Sequence, residues 1–90
     1  METGVHIIVH GVVQGVGFRY YVMSHAQNLG IRGFVRNLPN GKVEAEAYGE
    51  KSLLEEFISA VKIGPMSAHV VDVEIEWKKF NNRYEYFEIW

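Results

Sequence analysis

The run Val5-His6-Ile7-Ile8-Val9-His10-Gly11-Val12-Val13-Gln14-Gly15-Val16-Gly17-Phe18-Arg19 carries a strand, a glycine turn and the start of a helix in one stretch. Val5 to Val13 is dense in β-branched residues and apolar at both parities, which predicts a central strand. From Phe18 onward, Phe18, Tyr21, Val22, His25, Ala26 and Leu29 recur at three- and four-residue steps, the apolar stripe of a helix. Asn28-Leu29-Gly30 supplies its stop. Between strand and helix, glycines admit positive φ and expose several backbone N–H groups together. The helix adds its own unpaired first N–H groups and the positive end of its dipole. Gly15, Val16, Gly17 and Phe18 thus read as an anion cradle, to which Arg19 adds a planar, permanently charged donor fork suited to phosphate, although glycines that merely permit a tight connection, with Arg19 in solvent, fit the same residues.

Familiar nucleotide loops do not fit. A dinucleotide fingerprint needs glycine where Tyr20 stands and an acid near Asn37, and a Walker loop needs Gly-Lys-Ser/Thr, which is absent. His6 and His10 share one strand face, but no partner ligands stand at metal-binding spacing. No metal and no cofactor is expected.

Composition narrows the class. Ninety residues with 48% hydrophobic and 22% charged content read as one soluble domain spanning 1–90. No run is long enough to span a bilayer, and Met1-Glu2-Thr3 opens no signal-peptide pattern. The chain has no cysteine, which excludes disulfides and a thiolate nucleophile and makes the cytoplasm the expected address. The net charge of −2 is unevenly spread: no acid lies between Glu2 and Glu44, while Arg19, Arg32, Arg36 and Lys42 do. The half holding the cradle is therefore cationic and suits a small anion. Four scattered cations are too few for a nucleic-acid stripe.

The rest of the chain repeats these elements. Ile31 to Leu38 predicts a second strand, and Pro39-Asn40-Gly41 a hairpin turn. Beyond it Val43, Ala45 and Ala47 alternate inward, with Lys42, Glu44, Glu46 and Tyr48 facing water. Ser52-Leu53-Leu54-Glu55 has capping-box spacing ahead of the stripe Leu54, Phe57, Ile58 and Val61. Gly64-Pro65 ends that helix. In Ala68 to Lys78, alternation places Val71, Val73, Ile75 and Trp77 on one side and Asp72, Glu74, Glu76 and Lys78 on the other. Asn81-Asn82 turns into an aromatic terminal strand, Tyr84 to Trp90. The order is βαββαβ with the short extra C-terminal strand, a ferredoxin-like α+β sandwich: an antiparallel sheet with two helices on one face. That fold hosts many activities, so function rests on the site.

Two segments resemble the signatures of the acylphosphatase family: Gly11-Val12-Val13-Gln14-Gly15-Val16-Gly17-Phe18-Arg19, and Gly33-Phe34-Val35-Arg36-Asn37-Leu38-Pro39-Asn40-Gly41-Lys42-Val43. Asn40 stands where aspartate is the commoner residue, and both suit the turn. The resemblance implies hydrolysis of acyl phosphates to carboxylate and inorganic phosphate, without metal. It places the phosphate on Gly15 to Arg19, charge stabilisation on Arg19, and positioning of the attacking water on Asn37. From the residues alone, Asn37 reads first as a strand-end group satisfying the adjacent turn, and Arg36 as a solvated cation. The expected partners are a small acyl phosphate and inorganic phosphate as product and inhibitor, with no nucleic acid, no membrane and a monomeric state. With no linker in the chain, a free-standing enzyme is expected. The alternatives are a non-catalytic phosphate or acyl-phosphate binding domain of the same fold, an RNA module, and an edge-pairing protein. The acids of the third strand argue against RNA.

Overall fold

The structure, a computed structural model, describes residues 1–90. Its elements are β1 (Glu2–Val12), α1 (Phe18–Asn28), β2 (Arg32–Asn37), β3 (Val43–Glu50), α2 (Lys51–Ile63), β4 (His69–Lys78) and β5 (Phe87–Ile89). They form one sheet in the order β4-β1-β3-β2-β5. The expected ferredoxin-like sandwich is present, with β1 central and antiparallel to both β3 and β4.

Alternation along the strands decides where the core lies. Val5, Ile7 and Val9 of β1 and Val43, Ala45 and Ala47 of β3 are fully buried, and they pack with Phe18, Val22 and Ala26 of α1 and Leu54, Phe57 and Val61 of α2. Removing each large side chain of this set from water contributes about 1.5–3 kcal/mol. The end of α1 is fixed by Gly30 N–H to the Gln27 carbonyl and Ile31 N–H to the Ala26 carbonyl, at 3.2 and 2.9 Å. This is a Schellman stop, with Ile31 and Ala26 both in the core.

Four details differ from what the sequence suggests. The first is β5, which is only Phe87–Ile89 and runs parallel to β2, so the sheet is mixed and only its other three strand pairs are antiparallel. The chain leaves β4 at one edge and crosses the open face before pairing at the other edge.

The second detail follows from that crossing. Tyr48 points to the open face yet is 1% exposed, because Tyr84 stacks on it at 5.7 Å and Phe80 meets its edge at 6.4 Å. Phe34 is covered in the same way by Trp90, stacked at 3.9 Å and 3°.

The third detail is in β4, where the register slips between His10 and Gly11. Gly11 has φ 129°, and a Cβ there would stand 2.0 Å from the His69 carbonyl oxygen, so only glycine allows this approach. The bulge leaves Val71 unpaired and 68% exposed, while Val70 packs against the core in its place. Trp77 is likewise half exposed at the strand's far end, with Lys51 Nζ over its ring at 5.3 Å.

The fourth is the start of α2. Its cap position is Glu50 and no side chain caps it, so Ser52 lies inside the first turn and the expected capping box does not form.

The uncovered half of the open face is charged. Glu44 receives Arg36 Nε at 2.5 Å and meets His6 Nε2 at 2.8 Å, so Arg36 is an ion-pair partner rather than a free cation. His10 pairs with Glu74. Burial pushes the Glu44 carboxyl up, but the hydrogen bonds and charges of His6 and Arg36 outweigh it and hold its pKa below the ordinary 4.5. Glu46 is lowered too, burial being outweighed by Tyr48 and Lys78.

A carboxylate lowered in the folded state adds stability above its unfolded pKa, and that stability is lost as pH falls through the folded value. The melting temperature should therefore fall as pH drops below about 5. Glu44→Gln should make that acid limb shallower. An unchanged limb would remove Glu44 as its cause.

Candidate active site

β1 and β2 both end on one side of the sheet, where Val9 and Asn37 flank Val43. The loop Val13–Gly17 leaves β1 at this end, and α1 begins from it. Gly15 and Gly17 hold φ of 73° and 76°, a left-handed conformation that costs any other residue about 1–2 kcal/mol. The first helical bond is Tyr21 N–H to the Gly17 carbonyl at 3.1 Å. The N–H groups of Gly15, Val16 and Gly17 donate to no protein acceptor. No acid stands in the first turn of α1 to neutralise its positive end. Phe18 sends its ring into the core at 1% exposure, which anchors the loop from below.

Gln14 fastens this loop to the neighbouring hairpin. Its Nε2 donates to the Leu38 carbonyl at 2.7 Å and the Lys42 carbonyl at 2.9 Å. Those carbonyls flank the turn just beyond Asn37, so one side chain couples cradle and strand end. The turn itself is closed by Leu38 N–H to the Lys42 carbonyl and by Lys42 N–H to Asn40 Oδ1, at 2.9 and 3.1 Å. Asn37 takes no part in it. Its side chain lies on the helix-covered face, sharing parity with Val35, and its Oδ1 is buried without a partner. A buried acceptor left unpaired costs about 1–3 kcal/mol, which a donor such as water would recover.

Arg19 lies one residue into α1, partly exposed, with Nη1 donating to the main-chain oxygen of Trp90 at 3.4 Å. β5 runs parallel to β2 and so delivers Trp90 to the site end of the sheet. Of the neighbouring tyrosines, only Tyr21 packs: its hydroxyl donates to the Ala60 carbonyl at 2.7 Å, and burial pushes its pKa up. Tyr20 is 69% exposed.

The loop residues, Arg19 and Asn37 therefore come together at one end of the fold. Two tethers found here, Gln14 to the hairpin and Trp90 to Arg19, join residues far apart in the chain. Gln14 is conspicuous in the sequence only as a polar residue at the mouth of the loop. The surface depressions, of about 240 to 400 Å³, lie elsewhere, against β4, the open face and the α1 C-terminus. A cradle of main-chain donors is shallow and forms no deep cleft. No three His, Asp or Glu side chains converge anywhere on the chain. No helix is long and apolar enough to cross a membrane.

Fold and site together define a small α+β domain with a glycine loop of unpartnered N–H donors at one end of its sheet. The acylphosphatase family model matches residues 5–89. An acylphosphatase of Archaeoglobus fulgidus is 51% identical over 83 residues, 92% of each chain. One from Caldanaerobacter subterraneus is 40% identical over the full length of both. The crystal structure of acylphosphatase from Bacillus subtilis superposes with a TM-score of 0.93 at 37% identity, covering 99% of this chain and 98% of that one. The chain belongs to the acylphosphatase family.

Proposed function

We propose that this chain acts as a monomeric, single-domain acylphosphatase of the cytoplasm, cleaving small acyl phosphates by direct attack of water on phosphorus. One observation carries the mechanism: three unpartnered loop N–H donors and the unpartnered acceptor Asn37 Oδ1 lie at the same end of the sheet, tied together by Gln14.

The substrate's chemistry suits so sparse a site. An acyl phosphate is a mixed anhydride whose leaving group is a carboxylate, stable as an anion near neutral pH, so no general acid is required. As the P–O bond to the carboxylate breaks, a P–O bond to water forms, and the water's protons end on the phosphate product. The transition state is loose, with charge on the equatorial phosphoryl oxygens. The Gly15–Phe18 N–H groups and the Arg19 fork face that charge, and donors fixed in advance reorganise little as it develops. Asn37 Oδ1 accepts a hydrogen bond from the attacking water and aims the water's lone pair along the line of displacement, an orientational gain. No metal or organic cofactor enters the mechanism.

Benzoyl phosphate is the direct test. The protein should hydrolyse it with full activity in EDTA, and inorganic phosphate should inhibit competitively. Phosphate binding without hydrolysis would establish a binding domain instead. Activity lost on chelation and restored by one added metal would overturn the metal-free mechanism.

A further inference from the structure

We propose that Ser67, on the turn between α2 and β4, is a positioning residue that holds the glycine loop in its anion-receiving form. Its hydroxyl donates to the Val16 carbonyl at 2.9 Å, across 51 positions of sequence. The proposal rests on the reading of this loop as the phosphate site.

Val16 stands between two glycines in left-handed backbone, Gly15 and Gly17. A Cβ at either glycine would meet nothing within 4 Å, so neighbouring atoms do not lock the loop. Glycine populates both signs of φ about equally, so a peptide plane beside it rotates at little steric cost. The Val16–Gly17 peptide is therefore the part of the loop most able to turn over.

Ser67 removes that freedom. In a planar trans peptide the C=O and the following N–H point in opposite directions. Holding the Val16 oxygen toward Ser67 aims the Gly17 N–H away from the α2–β4 turn. That N–H is one of the loop donors without a protein acceptor. A flipped plane would present a carbonyl oxygen to the anion instead, turning attraction into repulsion.

Ser67 is itself well placed for this. Ala68 N–H donates to the Pro65 carbonyl at 3.0 Å, closing the turn around it. Gly64, at the start of the turn, backs onto the Phe18 ring, where a Cβ would stand 3.2 Å from Cε2. The turn and the start of α1 are thus packed together. Gln14 restrains the loop on the hairpin side, and Ser67 restrains it on the α2 side. Ser67 is exposed and the bond joins surface groups, so it contributes little to global stability.

The test uses Ser67→Ala and Ser67→Thr, with benzoyl phosphate kinetics, inorganic phosphate affinity, the Gly17 amide resonance during phosphate titration, and melting temperature. Ser67→Ala should weaken phosphate binding and lower kcat/KM by about tenfold each, the equivalent of one lost hydrogen bond. The Gly17 amide should respond less to phosphate, and the melting temperature should stay at the wild-type value. Ser67→Thr, which keeps the hydroxyl, should restore all three functional readouts. Wild-type affinity and turnover in Ser67→Ala, or a loss that Ser67→Thr does not rescue, overturns the role. A wild-type protein whose loop amides ignore phosphate overturns the phosphate-site reading itself, and the role of Ser67 with it.

Discussion

Arg19→Lys is expected to lower kcat/KM for benzoyl phosphate a hundredfold or more, about 3 kcal/mol, and to weaken inorganic phosphate binding alongside. Lysine keeps the charge but loses the planar fork that meets two phosphoryl oxygens at once. Arg19→Ala should lose more, because charge and fork go together. Both variants should remain folded. Arg19 makes one long hydrogen bond, 3.4 Å to Trp90, and no salt bridge, and it is only partly buried. That bond also has a functional reading. It draws one Nη1 donor toward β5 and leaves the other guanidinium donors without a protein partner. Near-wild-type kinetics in both variants would show that the anion is held elsewhere.

What the sequence discloses here is what depends on neighbours in the chain. The β1 run, the Gly15–Gly17 loop, the stop at Gly30 and the Pro39–Gly41 turn are each set by a few adjacent residues, and each stands where expected. Most of the misjudged features depend on distant contacts. Val71 has the right parity to point inward, but Gly11 of another strand draws the His69 carbonyl close and inserts a bulge. Tyr48 has the right parity to face water, but Phe80 and Tyr84 arrive from the C-terminal crossing and cover it.

The parallel pairing of β5 likewise depends on where that crossing ends. Ser52 shows a different failure: its spacing to Glu55 fits a box, yet α2 begins at Lys51, two residues early for Ser52 to serve as its cap. The candidate site divides the same way. Its loop is local and legible, whereas the Gln14 tether and the Trp90 contact span strands that only folding brings together. For Asn37 the residues alone left two roles open, and the structure weighs between them through the hydrogen bonds of the turn. Asn40 closes it, so the turn makes no demand on Asn37.

Asn37→Ala should separate positioning of water from binding of phosphate. Its Oδ1 is buried and unpartnered, on the helix-covered face at the end of β2, whereas the proposed phosphate donors are the loop N–H groups and Arg19. Removing it should lower kcat by ~10² or more, the loss expected when the nucleophile is no longer oriented. The dissociation constant for inorganic phosphate should stay within a few-fold of wild type. Asn37→Asp probes the same geometry with opposite electrostatics. It keeps an acceptor for water but sets a carboxylate beside a phosphate anion, so binding and rate should both fall. Stability supplies the control. A residue that served only the fold would cost about 1 kcal/mol on truncation and leave turnover per folded molecule intact. An unpartnered acceptor predicts the reverse: deleting it removes an unsatisfied group, so Asn37→Ala should melt no lower than wild type while turning over far more slowly. A destabilised but fully active Asn37→Ala would end the catalytic assignment. A stable, phosphate-binding and slow variant would place the attacking water at Asn37.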